Sequence, residues 1–384
     1  MPAMDRLLLQ VRESGGSDLH LADGQPPRMR RLGQLAPLTD EPPFGSGALH
    51  TLLKELAPPH ALEKCERGGE SIFTYEIPGQ LRARLSCYRH AGGLGAVGRL
   101  IPLSVPTLQE LALPPVLNDL AKLRSGLVLV SGTSGSGTST TVAALLNEIN
   151  TTQNRRIMTL EDPIEYLLSP VKSTIAQRDV HLHTRGAGAA LREAGHQGCD
   201  VIFAGQLHNR DNVALAVSAA EMGALVIGTL RANTAARALE QVMNVFPVAQ
   251  HPWIRSMLAN ALRAVIVQTL VTKADGSGRC AANEILVGTP GVASAIREGY
   301  ISKLGTMIQS GGMDGMINLD DSLMKKIQAE MITPLEASTR AIDKARFLSM
   351  IKPPEPPPEA APAAPVPGAK PTPGTKIGIP PKPK

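Results

Sequence analysis

Apolar positions recur along this chain with two different periods, and the change of period divides it. A short amphipathic helix opens the chain, and Ser17-Asp18-Leu19-His20-Leu21 then alternates before a turn at Asp23-Gly24-Gln25-Pro26-Pro27. Phe73, Tyr75 and Ile77 alternate up to Pro78-Gly79, and beyond that turn Leu81, Ala83, Leu85 and Cys87 alternate with Arg82, Arg84, Ser86 and Tyr88. This predicts a hairpin with one apolar and one basic face. Thr107-Leu108-Gln109-Glu110 has capping-box spacing, which predicts a helix start. Gly126-Leu127-Val128-Leu129-Val130-Ser131 is a short unbroken apolar run, the mark of a buried strand. Val142, Leu145, Leu146 and Ile149 then follow at i, i+3, i+4 and i+7, the spacing of an amphipathic helix. Further buried strands fit Ile157–Leu160, Asp200–Ala204 and Leu225–Leu230, with several helices after them up to about residue 350. Strands alternating with helices imply an α/β unit with a mostly parallel sheet.

Three parts result: a small α+β unit over 1–105, an α/β unit with C-terminal helices over 106–351, and a tail over 352–384. The tail holds 13 prolines among 33 residues. Proline removes backbone donors and blocks helix, so an extended, disordered segment is expected, either a solvated tail or a docking segment. The formal charge of +5 invites a nucleic-acid reading, but Lys352, Lys370, Lys376, Lys382 and Lys384 against Glu355 and Glu359 place +3 of it in the tail. The rest is close to neutral, and no nucleic-acid partner is expected. Aromatic residues make up 3% of the chain, so its cores must be aliphatic. Cys65, Cys87, Cys199 and Cys280 are scattered without a C-x-x-C pair, which suits reduced thiols in the cytosol. The apolar run near the start is too short for a signal peptide, and no stretch of about 18 apolar residues exists to span a membrane.

The chemistry concentrates at Gly132-Thr133-Ser134-Gly135-Ser136-Gly137-Thr138-Ser139, with Thr140 following. A phosphate-binding loop reads G-x-x-x-x-G-K-[ST] and lies between a strand and a helix, as this segment does. Glycines turn backbone N–H groups onto phosphate oxygens, the lysine reaches the β- and γ-phosphates, and the last hydroxyl holds Mg²⁺. Here Thr138 stands in the lysine position, while Ser139 keeps the Mg²⁺ hydroxyl. ATP and Mg²⁺ are the implied ligands, with binding weakened.

Further segments carry a resemblance to a family. Ser17–Leu21, Gly126–Thr141, Thr159-Leu160-Glu161-Asp162-Pro163-Ile164-Glu165-Tyr166, Ala219–Gly223, Val245-Phe246-Pro247, Gln268-Thr269-Leu270 and Asn283–Pro290 match motifs of the type IV pilus retraction ATPases. These are the PilT-like branch of the type II/IV secretion ATPases, and the match covers about residues 5–345. The four-cysteine zinc insert of the assembly-type relatives is absent. The resemblance implies a RecA-like P-loop domain preceded by a PAS-like N-terminal domain. It also implies a hexameric ring, with nucleotide bound between the N-terminal domain of one subunit and the RecA-like domain of the next. The ring would work on an inner-membrane pilus platform protein, as a cytoplasmic assembly peripheral to that membrane. Arg84 and Arg99 match the arginines that reach the neighbour's phosphates, and Glu161 keeps the aspartate-box carboxylate.

The departures from the family fall on catalytic positions. Besides Thr138, Gln206 replaces the Walker B glutamate, the expected general base or water-orienting group. Glutamine keeps the shape but takes no proton near neutral pH. Arg231 replaces the histidine of the His box, His208 and Asn209 replace arginine and aspartate, and His196-Gln197-Gly198-Cys199 replaces a segment usually ending Arg-x-Asp-Pro. Losing one preorganised charge commonly costs roughly 10²–10³ in rate. Three readings follow: a weak or non-hydrolysing accessory subunit, alone or with an active retraction ATPase; a working ATPase in which Arg231 or a neighbour's arginine replaces the lysine; or a binding platform without a nucleotide role. His20 and Trp253 read as packing residues, and His181 and His183, two apart with no third ligand, read as a surface loop.

Overall fold

Met4, Leu7, Leu8 and Val11 lie on one stripe of the opening helix, Ala3–Glu13, and all four are buried in a computed structural model of the chain. The structure describes residues 2–351 apart from 39–41, 46 and 181, so the Pro-rich segment and His181 lie outside the described residues. The apolar stripe packs on a six-stranded antiparallel sheet with strands β1 (Asp18–Ala22), β2 (Arg28–Arg31), β3 (Gln34–Pro37), β4 (Ser71–Ile77), β5 (Leu81–His90) and β6 (Gly93–Ile101). The strand order is β3-β2-β1-β6-β5-β4. β4 and β5 form the expected hairpin, with Phe73 opposite Leu85 and Ile77 opposite Leu81. On β5, Leu81, Ala83, Leu85 and Cys87 are buried, while Arg82, Arg84, Ser86 and Tyr88 are half-buried. Period 2 therefore separates the core from the arginines along a single strand.

Thr107 and Glu110 make the bonds of a capping box: Glu110 N donates to Thr107 Oγ1 at 3.1 Å, and Thr107 N donates to the Glu110 carboxylate at 2.7 Å. The expected helix does not follow. Ala112 takes φ 49° and Pro114-Pro115 comes next, so only a turn forms and the helix starts at Val116. Proline lacks the amide hydrogen that would extend the first turn, and it pushes the residue before it out of helical geometry.

The second sheet contains β7 (Gly126–Ser131), β8 (Arg156–Glu161), β9 (Thr174–Asp179), β10 (Val201–Gln206), β11 (Leu225–Leu230), β12 (Leu262–Thr272) and β13 (Arg279–Val287). The order is β13-β12-β7-β11-β10-β8-β9, parallel throughout except for the β12–β13 pair. Leu127 and Leu129 join one apolar cluster, and Val128 and Val130 join another. One strand thus feeds both faces, which is why it is apolar at every position. A third, smaller cluster gathers Val271, Cys280, Leu323, Ile332 and Phe347 from the end of the sheet and the last helices. Trp253 packs edge-on against Phe246, with ring centroids 5.8 Å apart.

Leu129→Ala opens a cavity under an interior strand. The expected loss is about 2–5 kcal/mol, read as a lower urea midpoint at unchanged m-value.

Candidate nucleotide site

The loop after β7 is shaped by what lies under it. Gly135 and Gly137 have φ of 80° and 83°, in the left-handed region that favours glycine. At Gly132 a Cβ would sit 2.3 Å from Ser136 Oγ and 2.5 Å from Gln268 O, so no side chain fits. Gln268, buried on β12, donates from Nε2 to Ser136 O at 2.8 Å. Its Oε1 accepts from Thr141 Oγ1 at 2.8 Å and Asn283 Nδ2 at 3.1 Å. The loop start is tied separately: Ser131 Oγ donates to Ala232 O at 2.9 Å and accepts from Ala232 N at 2.8 Å.

The helix after the loop, Thr138–Thr152, begins at Gly137 with no side-chain cap. Its first amide hydrogens have no intrahelical acceptor, and the helix dipole favours an anion there. Thr133, Ser134, Gly135 and Ser139 are exposed, Thr138 and Thr140 are half-buried, and Ser136 Oγ is buried without a partner. The residues therefore fit a phosphate group: backbone donors, an uncapped helix start and an unpaired hydroxyl. No cation lies within the loop. Among the described residues, no cluster of three or more His, Cys, Asp or Glu could hold a metal by itself.

Glu161 ends β8. Thr159 Oγ1 donates to its carboxylate at 2.6 Å and Gln177 Nε2 at 3.1 Å. Burial nonetheless raises its pKa above the ordinary carboxylate value. Gln206 ends β10 and is exposed. The register shifts between Phe203 and Gln206, and Gly205, at φ 62°, approaches so closely that a Cβ would lie 2.5 Å from Leu160 O. His208 Nδ1 lies 3.1 Å from Gln206 O, and Asn209 caps the helix Arg210–Glu221 by accepting from Asn212 N at 2.9 Å.

Arg231 follows β11 and is exposed. It shares a cleft of about 590 Å³ with Thr133 of the loop, and Asn233, Arg237 and Glu240 also line it. Arg84 and Arg99 stand directly opposite each other on β5 and β6. Arg99 Nε donates to Asp18 Oδ1 at 2.8 Å, and Arg84 forms an ion pair with Glu165. Burial works to raise the Asp18 pKa, but the Ser17 hydroxyl and Arg99 outweigh it and the net shift is downward. Both arginines thus bond to carboxylates of the same chain, and among the described residues no hydrogen bond takes either to the loop.

Sequence reasoning assigned no role to Gln268, Tyr166, Gln177 or Glu284. Tyr166 OH lies 3.0 Å from Thr140 Oγ1. Glu284 Oε1 accepts from Ala235 N at 2.6 Å, holding the start of the helix after Arg231, and burial raises its pKa. Gln268, Glu284 and Tyr166 do lie inside segments that resemble family motifs, which is the signal that could have found them. His20 Nε2 is buried without a partner, and burial lowers the pKa of the ring, with Arg30 adding to the shift. His183 Nδ1 accepts from Asp179 N at 2.9 Å.

Residues 104–331 match the family described as type II/IV secretion system protein. The type IV pilus retractation ATPase PilT of Pseudomonas aeruginosa is 38% identical over 335 residues, covering 87% of this chain and 97% of that protein. The type IV pilus ATPase PilU of the same species is 34% identical over 348 residues, covering 91% of each. A solved structure of the pilus retraction motor PilT with bound ADP superposes with a TM-score of 0.78 at 31% identity, over 91% of this chain and all of that one. The chain belongs to the PilT-like branch of the type II/IV secretion ATPase family.

Proposed function

We propose that this protein is a subunit of a type IV pilus retraction motor that binds ATP weakly and hydrolyses it slowly or not at all. It serves as an accessory or regulatory subunit in a homo- or hetero-hexamer with an active retraction ATPase. That assembly works in the cytoplasm against the inner-membrane platform protein. The observation that carries the reading is the loop itself: its shape is held by Gln268, while the lysine and the Walker B carboxylate are replaced by Thr138 and Gln206. The bound nucleotide with Mg²⁺ supplies the anhydride to be cleaved. The amides of Gly132–Gly137 and the helix start hold phosphate, and Ser139 offers its hydroxyl to the metal. Thr138 gives a neutral hydroxyl where an ammonium would draw charge from the leaving phosphates. Gln206 orients water without accepting its proton. Among the described residues no helix is long and apolar enough to cross a membrane.

A second reading has one observation in its favour. Arg231 shares the cleft with Thr133, and Arg237 adds a second guanidinium there. If these cations replace the lysine, the protein is a working ATPase with a rewired site, and Arg231→Ala abolishes turnover without unfolding the chain.

The decisive comparison is between the native protein and the Thr138→Lys/Gln206→Glu variant, measured by Mg²⁺-dependent phosphate release. The variant is expected to be faster by at least roughly 10², and the native chain alone stays near background. Robust release by the native chain overturns the accessory reading.

Glu161 gives a pH test of its burial. Its folded pKa lies above the ordinary 4.5, so the folded chain holds the proton more tightly than the unfolded one. The stability this supplies is full below that value and is lost as pH rises through the folded pKa. Glu161→Gln should therefore melt higher than the native chain at about pH 8, with the difference closing toward about pH 4.

A further inference from the structure

Three consecutive residues beyond β8 touch three different groups. Ile164 O accepts from Arg82 Nη2 at 3.1 Å. The Glu165 carboxylate pairs with Arg84. The Tyr166 hydroxyl meets Thr140 Oγ1 in the first turn of the loop helix, at 3.0 Å. Arg82 and Arg84 are two apart on β5 and so point to one face, which lets them grip two successive residues of one segment. Arg82 is itself steadied by Glu76 at 3.0 Å and by Thr74 at 3.2 Å.

The back of the segment is braced by β9. Asp179 Oδ2 accepts from Ile164 N at 3.2 Å, and Gln177 Oε1 accepts from Leu168 N at 2.8 Å. Gln177 Nε2 donates both to Tyr166 O at 2.8 Å and to Glu161 Oε1 at 3.1 Å. A segment held at both ends and along its back has little slack to absorb a displacement. Tyr166 is buried, and burial raises the phenol pKa, so its contact with Thr140 stays a neutral hydrogen bond across the physiological range.

We propose that Glu161–Tyr166 is a mechanical link between the phosphate loop and the N-terminal sheet, with Tyr166 as the positioning residue at the loop end and the Glu165–Arg84 pair as the clasp at the other. A triphosphate seated on the loop amides draws on the first helical turn, where Thr140 lies. The phenol follows Thr140, and Ile164 and Glu165 carry the shift to Arg82 and Arg84. Nucleotide occupancy thereby sets the position of β5, and with it the guanidinium of Arg84 beside Arg99. This inference rests on the nucleotide-binding reading.

Hydrogen exchange of the full chain, with and without Mg²⁺ and a non-hydrolysable ATP analogue, tests the link. In the native protein the analogue is expected to alter exchange both in the loop helix and in Leu81–His90. Tyr166→Phe keeps the buried ring and removes one hydroxyl. Its affinity for the analogue should fall by no more than about 10-fold, the net worth of one hydrogen bond, with the loop-helix response kept and the β5 response lost. Glu165→Gln keeps the size and removes the charge, and should likewise lose the β5 response. A residue that merely packs would change stability and leave that response in place. A β5 response that persists in both variants overturns the link, as does native binding with no β5 response. Failure of a fluorescent ATP analogue to bind saturably overturns the nucleotide reading, and the link with it.

Discussion

The carboxamide of Gln268 ties the phosphate loop to the sheet, and the site depends on that tie. Its donor holds the Ser136 carbonyl, and its acceptor collects Thr141 and Asn283. All four groups are deep in the protein, where an unmade hydrogen bond costs about 1–3 kcal/mol for each group stranded. The loop therefore keeps its shape for reasons unconnected with the residue at position 138. Ser131 adds a second tether, to the segment that carries Arg231. Loop geometry and loop charge are separable properties here, and the chain has retained the first and given up the second.

The same separation of shape from charge runs through the residues near the loop. Thr138 puts a short hydroxyl, donor and acceptor at once, where the phosphate-loop pattern has a long ammonium that only donates, and Gln206 offers a carboxamide that takes no proton near neutral pH. Asn209 caps its helix with a neutral side chain. Arg231 places a permanent cation at a cleft that touches the loop. A guanidinium there raises the local potential for an anion, but its distance from a reacting phosphate is set by a flexible side chain and not by the loop backbone.

Much of this was legible in the order of residues. The alternation on β5 and the unbroken apolar run of β7 report burial on one face and on two, and both patterns need only local reading. The phosphate loop is legible because its glycines serve local backbone geometry. β9 was not legible: its sequence, Thr-Ile-Ala-Gln-Arg-Asp, is mostly polar because an edge strand is half-exposed. The capping box at Thr107 misled because two prolines shortly after it cancel the signal. The roles of Gln268, Gln177 and Tyr166 arise from contacts to residues 9 to 132 positions away. No periodicity encodes such pairs. Arg84 and Arg99 were legible as a pair, but their carboxylate partners were not, because those partners lie 81 positions away in both cases.

The close approach of Gly205 to Leu160 has a consequence for how this protein changes over time. A methyl group at 205 would force two adjacent strands apart, so that position is locked. Its immediate neighbour, Gln206, projects from the end of the strand into open solvent. On the proposed reading, one of the two residues that separate cleaving from merely holding a nucleotide is thus among the least constrained by folding. A carboxylate at that position would be as silent to the architecture as the carboxamide, so a lineage could alter the charge there without crossing an unstable intermediate.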